Sequence, residues 1–391
     1  MIRRLLSPDT VAITGVITGL VSLPFGWLTL KPNRLAGGTG LSLTDGLGGG
    51  ATVIIVVLWI TCLALSLFGR RRWQVTALGI ALNLVVIATI FFTGPAAARL
   101  IGDAPTVARV SPGVGIWLTC LGAYIAIFSC RQRLKGFPLW QNLVSWLGLL
   151  SIFILLGTGW LDNLSVIVEF KNQQAQFVRQ LVNHVVLFAG SVFAGTLIGV
   201  PLGIWAARRR RAEGPIFFVT NIVQTVPSLA LFGLLIAPLS ALSLAFPVLR
   251  EWGISGIGAA PAIIALVLYS LLPVARNTYV GLSQLDPAII DAGRGMGMSR
   301  GQLFRKIELP LSAPLVLEGV RTASVQAVGN TAVAALIGAG GLGWFIFQGI
   351  SQAANDVVIL GAVPIMALSL IVDSAMRGAV KVATPKGLGA R

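Results

Sequence analysis

Side chains able to do chemistry are sparse in this chain, and most stand alone. His184 is the only histidine. It opens an apolar run with no second or third ligand near it, so it reads as an interfacial anchor and not as a metal ligand or proton relay. Cys62, Cys120 and Cys130 are odd in number and share no metal or redox spacing; they read as small apolar residues. No Ser-His-Asp or Cys-His set is visible, no metal site is expected, and the phosphate-binding pattern G-x-x-x-x-G-K-S/T does not occur. The chain is therefore not expected to be an enzyme or to hydrolyse ATP by itself. GAGGLG, from Gly338 to Gly343, satisfies G-x-G-x-x-G in letters only. The dinucleotide reading needs a strand before it, a helix after it and an acid downstream, whereas AVAALI before it is a membrane segment. It reads as a glycine-rich helix end that permits close packing or a break at the outer mouth of a pore.

Two further groups of polar residues lie inside apolar runs. Glu318 and Arg321 are three apart on one helix and can face each other, and Asp373 lies near the inner end of the last apolar run. Intramembrane charges are costly, so this pair is either a local ion pair that packs spans together or part of a pathway. Gln224, Thr225, Pro227 and Ser228 interrupt NIVQTVPSLALFGLLI, and Asn330 and Thr331 interrupt AVGNTAVAALIG. Pro227 frees backbone groups that need other partners, which favours a kink at a cavity or gate. Gln224, Pro227, Ser228, Asn330 and Thr331 are thus candidates for a translocation pathway; interhelical hydrogen bonding without transport contact is the alternative.

The elements that must hold these residues are membrane helices. Hydrophobic residues make up 55% of the chain and charged ones 11%, with a mean hydropathy of +0.87, where a soluble domain carries roughly a quarter charged residues. The expected fold is all-α and polytopic, with about ten spans near 11–30, 46–68, 75–94, 113–130, 142–161, 184–207, 216–241, 256–275, 313–337 and 357–376. The start, MIRRLL and an apolar run, lacks a small-x-small cleavage site and reads as a retained first span. Net charge is +16, yet its placement argues for orientation and against nucleic acid. With the N-terminus inside, the clusters at 3–4, 70–72, 131–135, 208–211, 294–306 and 377–391 fall on one side. Only Lys31, Arg34, Arg99, Arg109, Lys171, Arg179 and Arg250 fall on the other. Both termini are then cytoplasmic, and the run 208–211 is a stop-transfer anchor. Residues 1–165 form an N-terminal transmembrane region without a chemical motif, in which GGTG and GLGGG look like flexible linkers. Residues 162–183 read as a polar connector, an interfacial helix on the outer side. Residues 166–391 form the second part. No repeat relates the two parts, so the inverted-repeat plan of many secondary transporters is not supported.

One long polar stretch lies on the inner side of the second part, DAGRGMGMSRGQLFRKIELP at 291–310, within a loop spanning 282–310. Its punctuation describes two short helices. Asp286 can cap the first and Pro287 fits its first turn. Gly297 suits the left-handed residue that closes it. Ser299 with Gln302 is a capping-box pattern for the second, on which Leu303, Phe304 and Ile307 share a face until Pro310 stops it.

This stretch resembles the cytoplasmic loop of ABC-importer permeases, E-A-A, three residues, G, nine residues, I-x-L-P. Asp291, Ala292 and Gly293 occupy the first three positions, and Gly297, Ile307, Leu309 and Pro310 the rest. Asp for Glu and Gly for the second Ala are departures. The resemblance extends through HVVLFAGSVFAGTLIGVPLGIWAARR, NIVQTVPSLALFGLLI, PVARNTYVGLSQLDPAIIDAGRGMG and GNTAVAALIGAGGLGWFIFQGI, in the order seen in osmoprotectant permeases, which import glycine betaine, carnitine or choline. It covers roughly 170–385, and the extra N-terminal part looks like that of the long Yeh-type permeases of Gram-negative bacteria.

The resemblance implies a MetI-like, binding-protein-dependent permease in the bacterial inner membrane. It implies an ABC ATPase docked on 291–310, with ATP and Mg²⁺ bound by that partner and no cofactor in this chain. It further implies a periplasmic substrate-binding protein and a second permease subunit, identical or homologous. The mechanism would be alternating access, with substrate chosen by an aromatic cage in the binding protein. Import of another small solute such as an amino acid is the alternative substrate reading. An ion-coupled secondary transporter is disfavoured by the loop and by the scarcity of buried acids.

Overall fold

The computed structural model describes residues 9–34, 36–69, 71–102 and 107–385. Arg3, Arg4, Arg70, Lys386 and Arg391, which bear on the expected orientation, lie outside the described residues, as do both chain ends. The chain divides into two compact units, Met1–Asn172 and Gln173–Arg391.

In the first unit, Asp9 begins the order by accepting the Ala12 N–H at 3.0 Å, which caps α1 (Thr10–Val21). β1 (Leu28–Lys31) and β2 (Thr39–Leu41) follow, then α2 (Leu43–Leu47), α3 (Gly49–Phe68) and α4 (Arg72–Gly102). β3 (Arg109–Pro112), α5 (Val114–Arg133), α6 (Pro138–Gly157) and α7 (Ser165–Asn172) complete the unit. The three strands form an antiparallel sheet in the order β2-β1-β3, with Leu28 opposite both Leu41 and Pro112. The fold is the expected helical one, with a small three-stranded sheet added in this unit. GGTG is not a free linker: Thr39 and Gly40 belong to β2. Glycines let α1 and α5 touch backbone to backbone, since a Cβ on Gly122 would sit 2.5 Å from the Gly15 carbonyl oxygen. Asn83 of α4 is buried and reaches into the ladder of α6. Its amide donates to the Val144 carbonyl at 2.9 Å and its oxygen accepts the Gly148 N–H at 2.7 Å.

The second unit opens with α8 (Gln174–Arg208), α9 (Arg210–Thr225), α10 (Ser228–Ala245) and α11 (Val248–Glu251). Next come α12 (Ala259–Ser283), α13 (Pro287–Gly295), α14 (Arg300–Leu303) and α15 (Leu309–Val333), then α16 (Gly343–Ser351) and α17 (Asn355–Ala383). A π-helical turn, Phe304–Glu308, joins α14 to α15, and a 3₁₀ turn, Ala334–Ile337, closes α15. α12 packs between α8 and α15. On α8, Gly195, Gly199 and Gly203 recur at the helical period and face Ser270, Val274 and Ala275 of α12. From α15, Gly319 meets the Pro273 carbonyl oxygen in the same way.

Among the described residues, eight helices are long and apolar enough to cross a membrane: α3, α4, α5, α6, α8, α10, α12 and α17. Three of the expected spans take another form. α1 has 12 residues, short of the ~20 a crossing needs, because the chain turns into β1. The span expected at 216–241 is broken between α9 and α10. The span expected at 313–337 is α15, which carries Glu318 and Arg321 and ends in the 3₁₀ turn. The polar connector is not one interfacial helix: α7 ends at Asn172 and α8 begins at Gln174, ahead of the start expected at 184.

The α8–α12 contact yields a test. A Cβ on Gly203 would sit 2.5 Å from the Ala275 carbonyl oxygen, whereas one on Gly190, also on α8, meets nothing within 4 Å. Gly203→Leu should lower thermal stability in detergent by about 1–3 kcal/mol or more, while Gly190→Leu should leave the melting curve near that of the parent. Equal melting of the two variants would remove the close-packed seam.

Candidate functional site

Asp286 accepts the Ala288 N–H at 2.9 Å and starts α13. Gly297 closes it at φ +77°, in the left-handed region, and the Met298 N–H returns to the Gly293 carbonyl at 3.2 Å. Ser299 and Gln302 form both bonds of the capping box, 3.3 Å to the Ser299 hydroxyl and 2.8 Å to the Gln302 side chain. The two helices fold onto each other at Gly293, where an added Cβ would lie 2.7 Å from Leu303 Cδ1 and 2.8 Å from Ile307 Cδ1. Glycine in place of the second alanine thus draws the hairpin tight. Asp291 is exposed and pairs with Arg294 at 3.0 Å. Ala292, Leu309 and Pro310 are exposed as well. Ile289 and Ala292 of α13 and Met296, the residue that caps its end, are all exposed, so the hairpin presents apolar side chains outward.

Pro310 does not stop the second helix. α14 runs through the π turn into α15, with the Leu309 N–H reaching back to the Phe304 carbonyl. Proline supplies no N–H, and a locally widened turn lets the ladder resume beyond it. Pro310 then occupies the first turn of α15, where the missing donor is harmless.

A carboxylate and an arginine tie this hairpin to α8. Glu308 is buried, and both of its oxygens accept from the Arg208 guanidinium, one at 3.2 Å. The same guanidinium lies 5.5 Å from the Phe304 ring centroid. Arg208 is therefore separated from the stop-transfer run in which it sits. The signal in the sequence is Glu308 itself, a lone acid after Arg300, Arg305 and Lys306.

The α9–α10 break is complete, with Val226 and Pro227 both extended. The Val226 carbonyl, freed by the break, accepts the Tyr269 hydroxyl of α12. Gln224 Oε1 is buried and meets no donor among the described residues, and Ser228 is half-buried. Asn330 is half-buried, while Thr331 is buried and donates to the Ala327 carbonyl of its own helix at 2.7 Å. The structure brings the segments of these residues together: Val223, Val226, Leu231 and Phe232 share one apolar cluster with Val333, Ala334 and Ile337.

His184 does not face outward as an anchor would. It is fully buried inside α8 and grips the glycine loop. Its Nδ1 accepts the Leu342 N–H at 3.2 Å, which leaves Nε2 as the protonated nitrogen, 3.1 Å from the Val328 carbonyl. One turn earlier, Gln180 accepts the Gly341 N–H and Asn183 donates to the Ala339 carbonyl, each at 2.7 Å. Gly338, Gly340 and Gly341 have φ of +79°, +78° and +89°, and a Cβ on Gly340 would strike Asn183 Nδ2 at 2.5 Å. The period 180, 183, 184 carries this clasp, and the sequence reading of the connector overlooks it. The Glu318–Arg321 pair, 2.5 Å, extends to Asp373 of α17 at 2.6 Å from Arg321 Nε, and Asp373 also accepts from Arg377.

Residues 199–381 match the family model described as binding-protein-dependent transport system inner membrane component. Residues 7–167 match that of the ABC transporter permease YehY, N-terminal domain. The chain is 34% identical to the choline transport system permease protein OpuBB of Bacillus subtilis, over 57% of this chain and 95% of the relative. It is 40% identical to the osmoprotectant import permease protein OsmW of Salmonella typhimurium, over 52% and 90%. It is 37% identical to the glycine betaine/carnitine/choline transport system permease protein OpuCD of Bacillus subtilis, over 51% and 80%. Relatives matched this closely along most of their length leave one conclusion: the chain belongs to the binding-protein-dependent permeases of ABC importers and is a multi-pass protein of the inner membrane.

Proposed function

We propose that this chain is the membrane-spanning subunit of an ATP-driven importer of glycine betaine or a related quaternary-ammonium osmoprotectant. The observation that carries the coupling part is the hairpin at 286–310, stiffened by two caps, a left-handed glycine and the Gly293 contact, and tied to α8 through Glu308. Substrate class rests on the relatives whose names specify choline, carnitine and glycine betaine. An ABC ATPase docks on the exposed side chains of Ile289, Ala292 and Met296, with Asp291, Ala292, Gly293, Gly297, Ile307, Leu309 and Pro310 shaping that surface. ATP and Mg²⁺ belong to that partner. A periplasmic binding protein delivers the substrate, and a second permease subunit, identical or homologous, completes the pathway. The permease module is the part at 166–391.

Closure of the ATPases would press on the hairpin, and Glu308 would hand the motion to Arg208 at the inner end of α8. α8 spans about 50 Å at 1.5 Å per residue and holds the glycine loop at the level of Gln180 and His184. Motion of the hairpin would therefore reach the loop at 339–342 without a flexible link. The break at Pro227, with Gln224 and Ser228 beside it, and the segment of Asn330 and Thr331 are the parts placed to open and close.

Proteoliposomes holding the permease with its ATPase and binding protein should take up labelled glycine betaine only with ATP inside and binding protein outside. Uptake driven by an ion gradient without ATP would overturn the importer reading, and stimulated ATPase activity without betaine uptake would overturn the substrate. Gly297→Val places a β-branched residue at positive φ, at a cost of about 1–3 kcal/mol locally. It should leave insertion intact and cut uptake at least tenfold through lost ATPase coupling; full uptake would dismiss the hairpin. Arg208→Glu should abolish coupled uptake by leaving Glu308 unpaired, and the swap Arg208→Glu with Glu308→Arg should restore a substantial part. A swap no better than the single change would count against the pair as a link.

A further inference from the structure

We propose that the groove where α8, α9 and α12 meet is a binding site for one anionic phospholipid, with its headgroup on Arg209, Arg210 and Arg211 and its acyl chains along the apolar floor. The proposal rests on the chain being a membrane protein and not on its substrate or its ATPase.

The groove has a volume of about 810 Å³ and lies open along its length. Its floor is apolar, with Leu202, Ile216 and Leu271 half-buried and Trp205 and Val219 exposed beside them. At its mouth stand Arg209, Arg210 and Arg211. Neighbouring charged groups have contacts of their own. Arg208 is held by Glu308, Arg276 lies 4.8 Å from the Phe217 ring centroid, and Glu213 is hydrogen-bonded to Tyr279. Among the described residues no carboxylate forms an ion pair with any of the three arginines at the mouth. α9 begins there without a side-chain cap and with one carboxylate, Glu213, in its first turn, so the pull on an anion at the mouth comes from the three arginines.

These features select the occupant. A soluble anion would satisfy the arginines and leave the floor uncovered. A neutral lipid would cover the floor and leave three cations unmatched. A second copy joined through the same face in a two-fold contact would set three arginines against their own copies. An amphiphile with an anionic head satisfies both halves, and basic pockets between membrane helices are suited to such headgroups.

Delipidated full-length permease would be titrated with phosphatidylglycerol and, separately, phosphatidylcholine, with bound lipid counted by native mass spectrometry. Phosphatidylglycerol should bind and phosphatidylcholine should not. Changing Arg209, Arg210 and Arg211 together to Gln should weaken binding at least about tenfold. Because those charges also bear on insertion, Val219→Trp supplies a second arm: it fills the groove with the arginines intact and should remove binding equally. Retained binding in Val219→Trp would reduce the effect to surface charge and overturn the site. Displacement of the lipid by equimolar inorganic phosphate would likewise overturn it, since the tails would then contribute nothing. So would a shift from dimer to monomer in Val219→Trp without change in lipid binding, which would give the groove to a second copy.

Discussion

A backbone group freed inside a bilayer has no water to turn to, and this constraint is visible at two irregular points of the permease unit. Each unsatisfied group in hydrocarbon costs several kcal/mol, so a break needs a partner for the groups it frees, and here side chains supply several. Tyr269 waits for the Val226 carbonyl. Gln180, Asn183 and His184 wait for Gly341, Ala339 and Leu342. In the first unit Asn83 does the same for Val144 and Gly148 of α6. The breaks are therefore fixed in place by named partners. Such a joint can move as a unit or exchange partners, but it cannot melt.

The same logic governs charge. Glu308 and Asp373 lie largely out of solvent, and each is held by an arginine from another helix. A carboxylate in that position is tolerable only while its partner stays. The two pairs thus act as constraints on relative helix position more than as sources of stability. One fixes the hairpin to α8 and the other fixes α15 to α17. With the glycine seam on α8 and Gly319 on α15, they make α8, α12, α15 and α17 a set of close neighbours whose contacts leave little freedom between them.

What the sequence discloses follows from range. The hairpin is legible because its signals are local: Asp286 before Pro287, Gly297 at a helix end, Ser299 three residues before Gln302. The helical pair Glu318–Arg321 is legible for the same reason. Arg208 with Glu308, Arg321 with Asp373, and Tyr269 with Val226 join residues far apart in the chain, and no spacing rule reaches them. The β1–β3 pairing joins Leu28 to Pro112 through strands of four residues, too short to carry an alternation. His184 misleads because an apolar run begins beside it. The helix that holds it begins at Gln174, in a stretch polar enough to look like a surface connector.

Paired acids would serve a transporter that must bind and release a proton or a sodium ion. A trimethylammonium group makes a different demand. It carries its positive charge over methyl groups and has no N–H to donate, so it gains little from a dedicated carboxylate and is met adequately by oxygen dipoles and aromatic faces. Choline, carnitine and glycine betaine share that head and differ in their tails, so a path that serves such solutes needs to tolerate the head and ignore the rest. The polar groups around the α9–α10 break fit that demand. Gln224 Oε1 is an uncharged oxygen that meets no donor among the described residues, three residues before Pro227 at the break. On this reading the transport unit keeps its charges for holding helices together and leaves its pathway neutral, and discrimination among substrates falls to the protein that delivers them.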